Sequence, residues 1–185
     1  MNTRKTLLIA LFTGLIIVGT FLKIPLPPVP ITLQTFFVIL AGLLGGMTFG
    51  FLSTLLYLLL GLIGLPVFTS GGGLSALIGP TSGYLISMLF ASAIAGFLSD
   101  RVKQEDNRVK HIVFCAIGGL IATLFIYGCG VTWLKISLSM DWTTALKVGV
   151  YPFIIGGIIK LSVALIITYS FKERFDTLIK KEIEE

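Results

Sequence analysis

Lys160 is the residue best placed to do chemistry, because it is a charge inside a long apolar segment. The flanking stretches 148–159 and 161–171 contain no charged residue. Lys160 is therefore expected near the middle of a membrane-spanning helix, too deep for its side chain to reach water easily. A charge at that depth costs at least about 2.5–3.5 kcal/mol on insertion scales. The side chain is expected to face a cavity or a polar partner.

Two interpretations of Lys160 are open. The ammonium group could bind backbone carbonyls of neighbouring helices, or it could bind a ligand. No Asp or Glu lies in the apolar segments to neutralise it, and intramembrane charges mark functional sites by default. We favour a ligand that brings its own negative charge, for example a carboxylate.

Three further side chains are candidates for the same pocket. Gln34 is strongly polar and lies at the start of an apolar segment, next to Thr35 and close to Phe37. Gln34 and Phe37 could line a ligand pocket, but a hydrogen bond between helices explains a buried glutamine equally well. Tyr84 could offer its phenol to a ligand or lie at the membrane interface.

The motifs of the common enzyme and ATPase sites are missing from the sequence. There is no G-x-x-x-x-G-K-[ST] loop, no cluster of metal-binding residues, and no Ser/His/Asp or Cys/His arrangement. The one histidine, His111, precedes an apolar segment and is predicted to lie at the level of the lipid headgroups. These absences predict a binding protein rather than an enzyme, with no metal and no cofactor of its own. They also give little support to a proton-coupled carrier.

Composition predicts an all-α integral membrane protein. The chain of 185 residues is 55% hydrophobic and only 12% charged, against about 25% charged in soluble domains. No charged residue occurs between Lys23 and Asp100, which leaves room for three membrane crossings of about 20 residues each. The apolar runs are continuous rather than alternating, which disfavours a β-barrel. Cys115 and Cys129 fall in one apolar segment, so a disulfide framework is not expected.

The sequence predicts a six-transmembrane-helix bundle in a single domain, 1–185. The predicted spans are 6–22, 31–47, 48–65, 81–99, 112–134 and 148–171, followed by a tail, 172–185. Basic residues cluster before the first span, in the loop 100–110 and in the tail. The positive-inside rule then predicts that both termini lie in the cytoplasm. This distribution explains the net charge of +5 without nucleic acid as a partner.

The segment 66–80, between the third and fourth spans, is predicted to form a lid on the outer side of the membrane. It contains Gly71, Gly72 and Gly73, and then Gly79 and Pro80. Glycine and proline are poor residues for a helix interior, so the segment should interrupt the helical bundle.

The first span carries small residues four positions apart, Ala10 and Gly14. Such a pair allows a second helix to approach closely. From the pattern alone, a role in docking a second protein and a chance occurrence have about equal weight.

Three stretches together resemble the BioY family, the biotin-specific S components of energy-coupling factor (ECF) transporters. They are PVPITLQTFFVILAGLLGG at 28–46, LLYLLLGLIGLPVF at 55–68 and GGGLSALIGPTSGYL at 71–85. The resemblance implies a six-helix bundle in the cell membrane that binds biotin from outside. It also implies partners: a transmembrane T component and two cytoplasmic ATPase subunits, which use ATP. The GPT-x-GY motif adds Thr81 to the candidate substrate-binding residues, and Ala10 and Gly14 resemble the T-component docking motif of related S components.

One position departs from the family pattern. The last helix of the family carries an Asp three residues before the Lys, and here Gly157 stands at that position. The ureido ring of biotin has two N–H donors, and leaving buried donors unpaired costs about 1–3 kcal/mol each. Because Gly157 replaces this Asp, an alternative ligand is a biotin-like acid, such as lipoate, that has no ureido donors. A stand-alone carrier is a further alternative, and a purely structural bundle is a weaker one.

Overall fold

The computed structural model describes residues 3–103 and 107–180. These residues form seven α-helices, two short strands and one 3₁₀ turn. The helices are α1 (Thr3–Phe21), α2 (Gln34–Leu62), α3 (Leu74–Ile78), α4 (Ser82–Ser99), α5 (Arg108–Ser137), α6 (Trp142–Gly149) and α7 (Ile154–Lys180); the strands are β1 (Lys23–Ile24) and β2 (Ile31–Thr32), and the 3₁₀ turn is Tyr151–Phe153.

The predicted all-helical membrane class is confirmed. Within the described residues, five helical stretches are long and apolar enough to cross a membrane. One of them, α2, contains a chain reversal at Gly46, where φ is +81° and ψ is −178°. A Cβ atom built on Gly50 would lie 2.7 Å from the Cα of Gly42, whereas residues eight apart in a straight helix are separated by about 12 Å. The two halves of α2 therefore form a hairpin, and the described chain contains six long helical segments.

Side chains from α4 and α7 hold the hairpin turn together. Asp100 accepts a hydrogen bond from the backbone N–H of Met47 at 2.9 Å. Ser99 donates to the carbonyl of Leu43 at 2.7 Å, and the ammonium group of Lys172 donates to the carbonyl of Leu44 at 2.8 Å. These bonds satisfy polar backbone groups that the reversal removes from the helical pattern.

The basic segments meet at one end of the bundle. Arg108 at the start of α5 forms a salt bridge of 2.6 Å with Glu173 in α7. The rings of Phe12, Phe49 and Phe175 contact one another edge to face, with centroids 5.3–5.8 Å apart. These contacts bring α1, α2 and α7 together at this end. The opposite end carries the β-hairpin β1–β2, the lid segment (66–80) and α6.

Several predicted boundaries are wrong. The last helix begins at Ile154 rather than at 148, because Pro152 lies in the 3₁₀ turn that separates α6 from α7. The predicted tail is helical as far as Lys180, and its residues 181–185 lie outside the described residues. The lid is not wholly irregular, since it includes the short helix α3.

His111, which the sequence predicted at the headgroup level ahead of an apolar segment, is buried inside the protein. It is 1% exposed, and its Nε2 atom lies 3.4 Å from the hydroxyl of Ser99. The side chain packs between α4 and α5, next to the hairpin turn. Burial here depends on the tertiary packing of α5, which the sequence pattern does not report.

Gly46→Ala should lower the melting temperature of the detergent-solubilised protein. A Cβ at this position would collide with the carboxylate of Asp100, and the positive φ adds strain of about 1–3 kcal/mol. The matched control is Gly64→Ala, because φ at Gly64 is +101° but a Cβ there would meet nothing within 4 Å. Differential scanning fluorimetry of both variants tests this. Equal shifts would show that the Asp100 contact contributes nothing.

Candidate ligand-binding site

A cavity of about 530 Å³, including open space at its mouth, lies at the centre of the bundle, next to Lys160. β2, the start of α2, α4, α5, α7 and the lid segment all contribute to its wall. The lining residues are Val29, Pro30, Thr32, Gln34, Thr35, Thr69, Thr81, Tyr84, Leu85, Met88, Ile126, Tyr127, Phe153 and Lys160.

Lys160 lies in the wall of this cavity and is held from two sides. Its ammonium group donates to the carbonyl of Thr32 at 2.6 Å and to the hydroxyl of Thr35 at 3.3 Å. Thr32 is the last residue of β2, and Leu33 separates it from α2, so its carbonyl lies outside a helix. An ammonium group has three N–H donors, and one remains for a ligand. Lys160 therefore binds a backbone carbonyl, as one interpretation predicted, and it also lines the cavity, where the other interpretation places a ligand.

Gln34 is 2% exposed, and a network fixes the orientation of its amide. Its Nε2 atom donates to the hydroxyl of Tyr57 at 2.7 Å, and that hydroxyl donates to the carbonyl of Val67 at 3.3 Å. Because Tyr57 has a single hydroxyl hydrogen, it accepts from Gln34. The carbonyl oxygen of the Gln34 side chain then remains as an acceptor at the cavity wall.

Thr81 and Tyr84 also line the cavity, as the sequence predicted. Tyr84 donates its hydroxyl hydrogen to the carbonyl of Gly149 at 2.8 Å. This bond ties α4 to the end of α6, so the Tyr84 ring serves mainly as an apolar wall. Thr81 directly precedes α4. It also borders a second space, a cleft between the cavity and the lid segment.

Phe37 is not among the residues that line the cavity, so the geometry does not support the pocket role predicted for it. Its ring packs edge to face on Phe36, with centroids 5.0 Å apart. A Cβ built on Gly19 would lie 2.7 Å from the Phe37 ring. Phe37 therefore faces α1, because it lies on a different side of α2 from Gln34.

Gly157 does not border the main cavity, but it borders a smaller recess of about 240 Å³ next to it. Lys160, Thr35, Ile126 and Tyr127 line both spaces. Gly157 therefore lies beside the cavity, about one helical turn nearer the start of α7 than Lys160.

The outer cleft leads from the cavity to the surface beneath the lid segment. Its lining includes Pro30, Thr69 and Thr81, which it shares with the cavity, and also Gly79 and Pro80. Lys23 donates to the carbonyl of Thr69 at 3.2 Å, which connects β1 to the lid. Two lid glycines, Gly71 and Gly73, have positive φ values of +111° and +87°. They shape the backbone of the lid, and neither they nor Gly72 border the cavity or the cleft.

Sequence reasoning missed Tyr127, Phe153 and Met88 as lining residues. Each lies in or beside a uniformly apolar segment, where an aromatic or a methionine is indistinguishable from a packing residue. Tyr127 donates its hydroxyl hydrogen to the carbonyl of Phe153 at 3.0 Å. The only sequence signal was its polar oxygen in an otherwise apolar stretch, which is weak.

The predicted docking pair lies on the outside of the bundle. Ala10 is exposed and Gly14 is half-buried, and a Cβ at Gly14 would meet nothing within 4 Å. The surface at Gly14 is therefore open.

Residues 1–177 match the model of the BioY family. A probable biotin transporter BioY of Lysinibacillus sphaericus is 43% identical over 155 residues, which cover 84% of this chain and 76% of that protein. A biotin transporter BioY of Thermotoga maritima is 37% identical over 171 residues, which cover 92% and 96%. A crystal structure of the S-component for biotin from an ECF-type ABC transporter superposes with a TM-score of 0.80 at 31% identity, covering 94% of this chain and 95% of that one.

Proposed function

The chain belongs to the BioY family, and we propose that it is the substrate-binding subunit through which a cell takes up biotin. The observation that carries this function is the cavity beside Lys160, which an apolar wall and a few polar groups enclose in a bundle of the biotin S-component fold. Its role is transport and not catalysis. Its location is the cell membrane.

The cavity suits a small acid with an apolar body. Leu85, Met88, Ile126 and Phe153 offer apolar surface to the rings and the alkyl chain of the ligand. Lys160 offers its remaining N–H to an oxygen of the ligand, and hydrogen bonds to a charged group are stronger than neutral ones.

Three more residues complete the proposed binding set. Gln34 presents an acceptor oxygen, Tyr84 contributes an apolar ring, and Thr81 offers a hydroxyl between the cavity and the outer cleft. Gly157 borders the recess next to the cavity. The wall thus combines apolar side chains, which supply contact area, with polar groups, which supply specificity.

We place the opening of the site on the outer side of the membrane. The basic segments before α1, between α4 and α5 and at the end of α7 support a cytoplasmic location for both termini. The lid segment is at the opposite end and would close over the bound ligand. Gly71, Gly72, Gly73, Gly79 and Pro80 would allow this segment to change its backbone path.

The partners in this proposal are a transmembrane T component and two ATPase subunits, which hydrolyse ATP for the complex. The T component would dock on α1 at Ala10 and Gly14, where the helix surface is open to a second helix. The chain itself would bind only the vitamin and lipid.

Isothermal titration calorimetry of the purified chain with biotin and with lipoate tests the ligand. We expect biotin to bind more tightly, because Lys160, Gln34 and the remaining polar wall match a ligand with several polar groups. Tighter binding of lipoate would assign the site to the biotin-like acid instead. If neither biotin nor lipoate binds, the proposed function is contradicted.

Uptake assays separate a subunit from a stand-alone carrier. The chain is expressed in a biotin-requiring host with and without the T component and the ATPases. We expect growth on trace biotin only when the partners are present. Equal growth without them would establish an independent carrier.

A further inference from the structure

The hydroxyl of Tyr127 belongs to a side chain that lines both the cavity and the smaller recess. It comes from α5, and it lies across from Gly157 and Lys160 on α7. Its single hydrogen is donated to the carbonyl of Phe153 at 3.0 Å. The oxygen therefore keeps its lone pairs, and it can act towards a ligand only as an acceptor.

The polar groups that line the cavity around Tyr127 include both donors and acceptors of hydrogen bonds. Lys160 can only donate, and one of its N–H groups remains after its bonds to Thr32 and Thr35. Gln34 presents an acceptor oxygen because its Nε2 atom is bound to Tyr57. With Tyr127, the site thus offers two acceptors beside the donor of Lys160, and the hydroxyl of Thr35, which accepts from Lys160, keeps its own hydrogen as a second donor. No carboxylate belongs to this wall in the part of the chain that the structure describes.

Glycine at position 157 allows the Tyr127 oxygen to occupy this place. A Cβ built on Gly157 would lie 2.6 Å from the hydroxyl oxygen of Tyr127 and 3.6 Å from the ring carbon that bears it. The first distance is a collision and the second is ordinary contact. Any side chain at 157 would displace the hydroxyl, so Gly157 and Tyr127 act as a pair.

A cyclic urea uses both the donors and the acceptors of this set, whereas a carboxylate uses the donors alone. A urea has one carbonyl oxygen to accept from Lys160 and two N–H groups to donate to acceptors. A carboxylate has acceptors only and would face the acceptor oxygens of Gln34 and Tyr127 without a hydrogen between them. We infer that the hydroxyl oxygen of Tyr127 accepts a hydrogen bond from a ureido N–H of biotin, and that Gly157 keeps that oxygen in position. This inference rests on the proposed function.

Calorimetry with Tyr127→Phe and three ligands tests the inference. The ligands are biotin, dethiobiotin, which keeps the ureido group, and 5-(thiolan-2-yl)pentanoate, which keeps the thiolane ring and the acid but has no ureido group. We expect the variant to bind the first two about tenfold more weakly than the wild type, with no change for the third. Equal losses for all three ligands would assign Tyr127 to packing only, and undiminished binding of biotin would overturn the inference.

Gly157→Ala gives a second test that does not depend on the folding of Tyr127→Phe. The added methyl group would displace the hydroxyl, so this variant should also lose affinity for biotin and dethiobiotin only. Its matched control is Gly156→Ala, because a Cβ at Gly156 would meet nothing within 4 Å and binding should be unchanged. An equal loss in the control, or no loss at Gly157, would contradict the pairing.

Combining the two substitutions tests their coupling. In Tyr127→Phe the nearest atom to the new methyl group is the ring carbon at 3.6 Å, so Gly157→Ala should cost nothing further. Losses that simply add would overturn the pairing. If the wild type does not bind biotin at all, the proposed function fails; if it binds and Tyr127→Phe binds as well, only this inference fails.

Discussion

Lys160→Met should lower the affinity for biotin about 10- to 100-fold while the protein remains folded. The substitution removes a charged donor, and hydrogen bonds to charged groups contribute about 1.5–3 kcal/mol. It also removes a buried positive charge that no carboxylate of the described cavity wall compensates. The melting temperature without ligand should therefore be equal to or above that of the wild type. Calorimetry and differential scanning fluorimetry on the same preparation measure both quantities.

The matched control for this substitution is Lys147→Met. Lys147 lies in α6 and is exposed, so the same exchange there removes a charge without touching the cavity. Binding of biotin should be unchanged in the control. Wild-type affinity in Lys160→Met would remove Lys160 from the proposed site, and a large fall in its melting temperature would mean that the lysine holds the fold through Thr32.

Gly14→Leu should abolish biotin uptake by the assembled transporter while leaving biotin binding by the isolated chain intact. A Cβ at Gly14 has open space around it, so the leucine fits the chain itself. It would instead project from α1 into the surface where we propose that the T component docks, and bulky residues prevent close approach of two membrane helices. Uptake of labelled biotin and calorimetry on the purified chain separate the two effects. Ala10→Leu should behave in the same way.

Gly128→Leu on α5 is the matched control for docking. Gly128 is an exposed helical glycine, and a Cβ there also meets nothing within 4 Å. The same exchange should leave uptake near the wild-type level, because α5 is outside the proposed docking surface. Loss of uptake in both variants would point to a general effect of bulk on membrane insertion. Normal uptake in Gly14→Leu would exclude docking at this position.

A contrast within α1 shows what glycine does at each place. A Cβ at Gly19 would lie 2.7 Å from the ring of Phe37 and 3.0 Å from the backbone of Leu33, so Gly19 allows α1 to pack against α2 inside the bundle. Gly14 allows approach from outside. The sequence pattern marked Gly14 through its spacing from Ala10, but it did not distinguish these two roles.

The sequence by itself determined the class of the protein, and it identified Lys160 as the main candidate for ligand binding. Continuous apolar segments without charge can exist only in a membrane or in a fully buried core, and their lengths indicated six long helical segments. Lys160 was identified because a single charge in such a segment is costly enough to need a reason. The resemblance to the BioY family also came from sequence alone, since it depends on short motifs in the loops and at helix starts.

Only the tertiary structure decided which side chains share the cavity. A helix between lipid and other helices is apolar all round, so its sequence has no periodicity that reports which side faces the protein. For this reason Phe37 was assigned to the pocket although it faces α1, Tyr127 was missed, and the burial of His111, which is 1% exposed, was not predicted. The neighbour of Gly157 is a hydroxyl from α5, 30 residues earlier in the chain, and only the folded helices bring the two together.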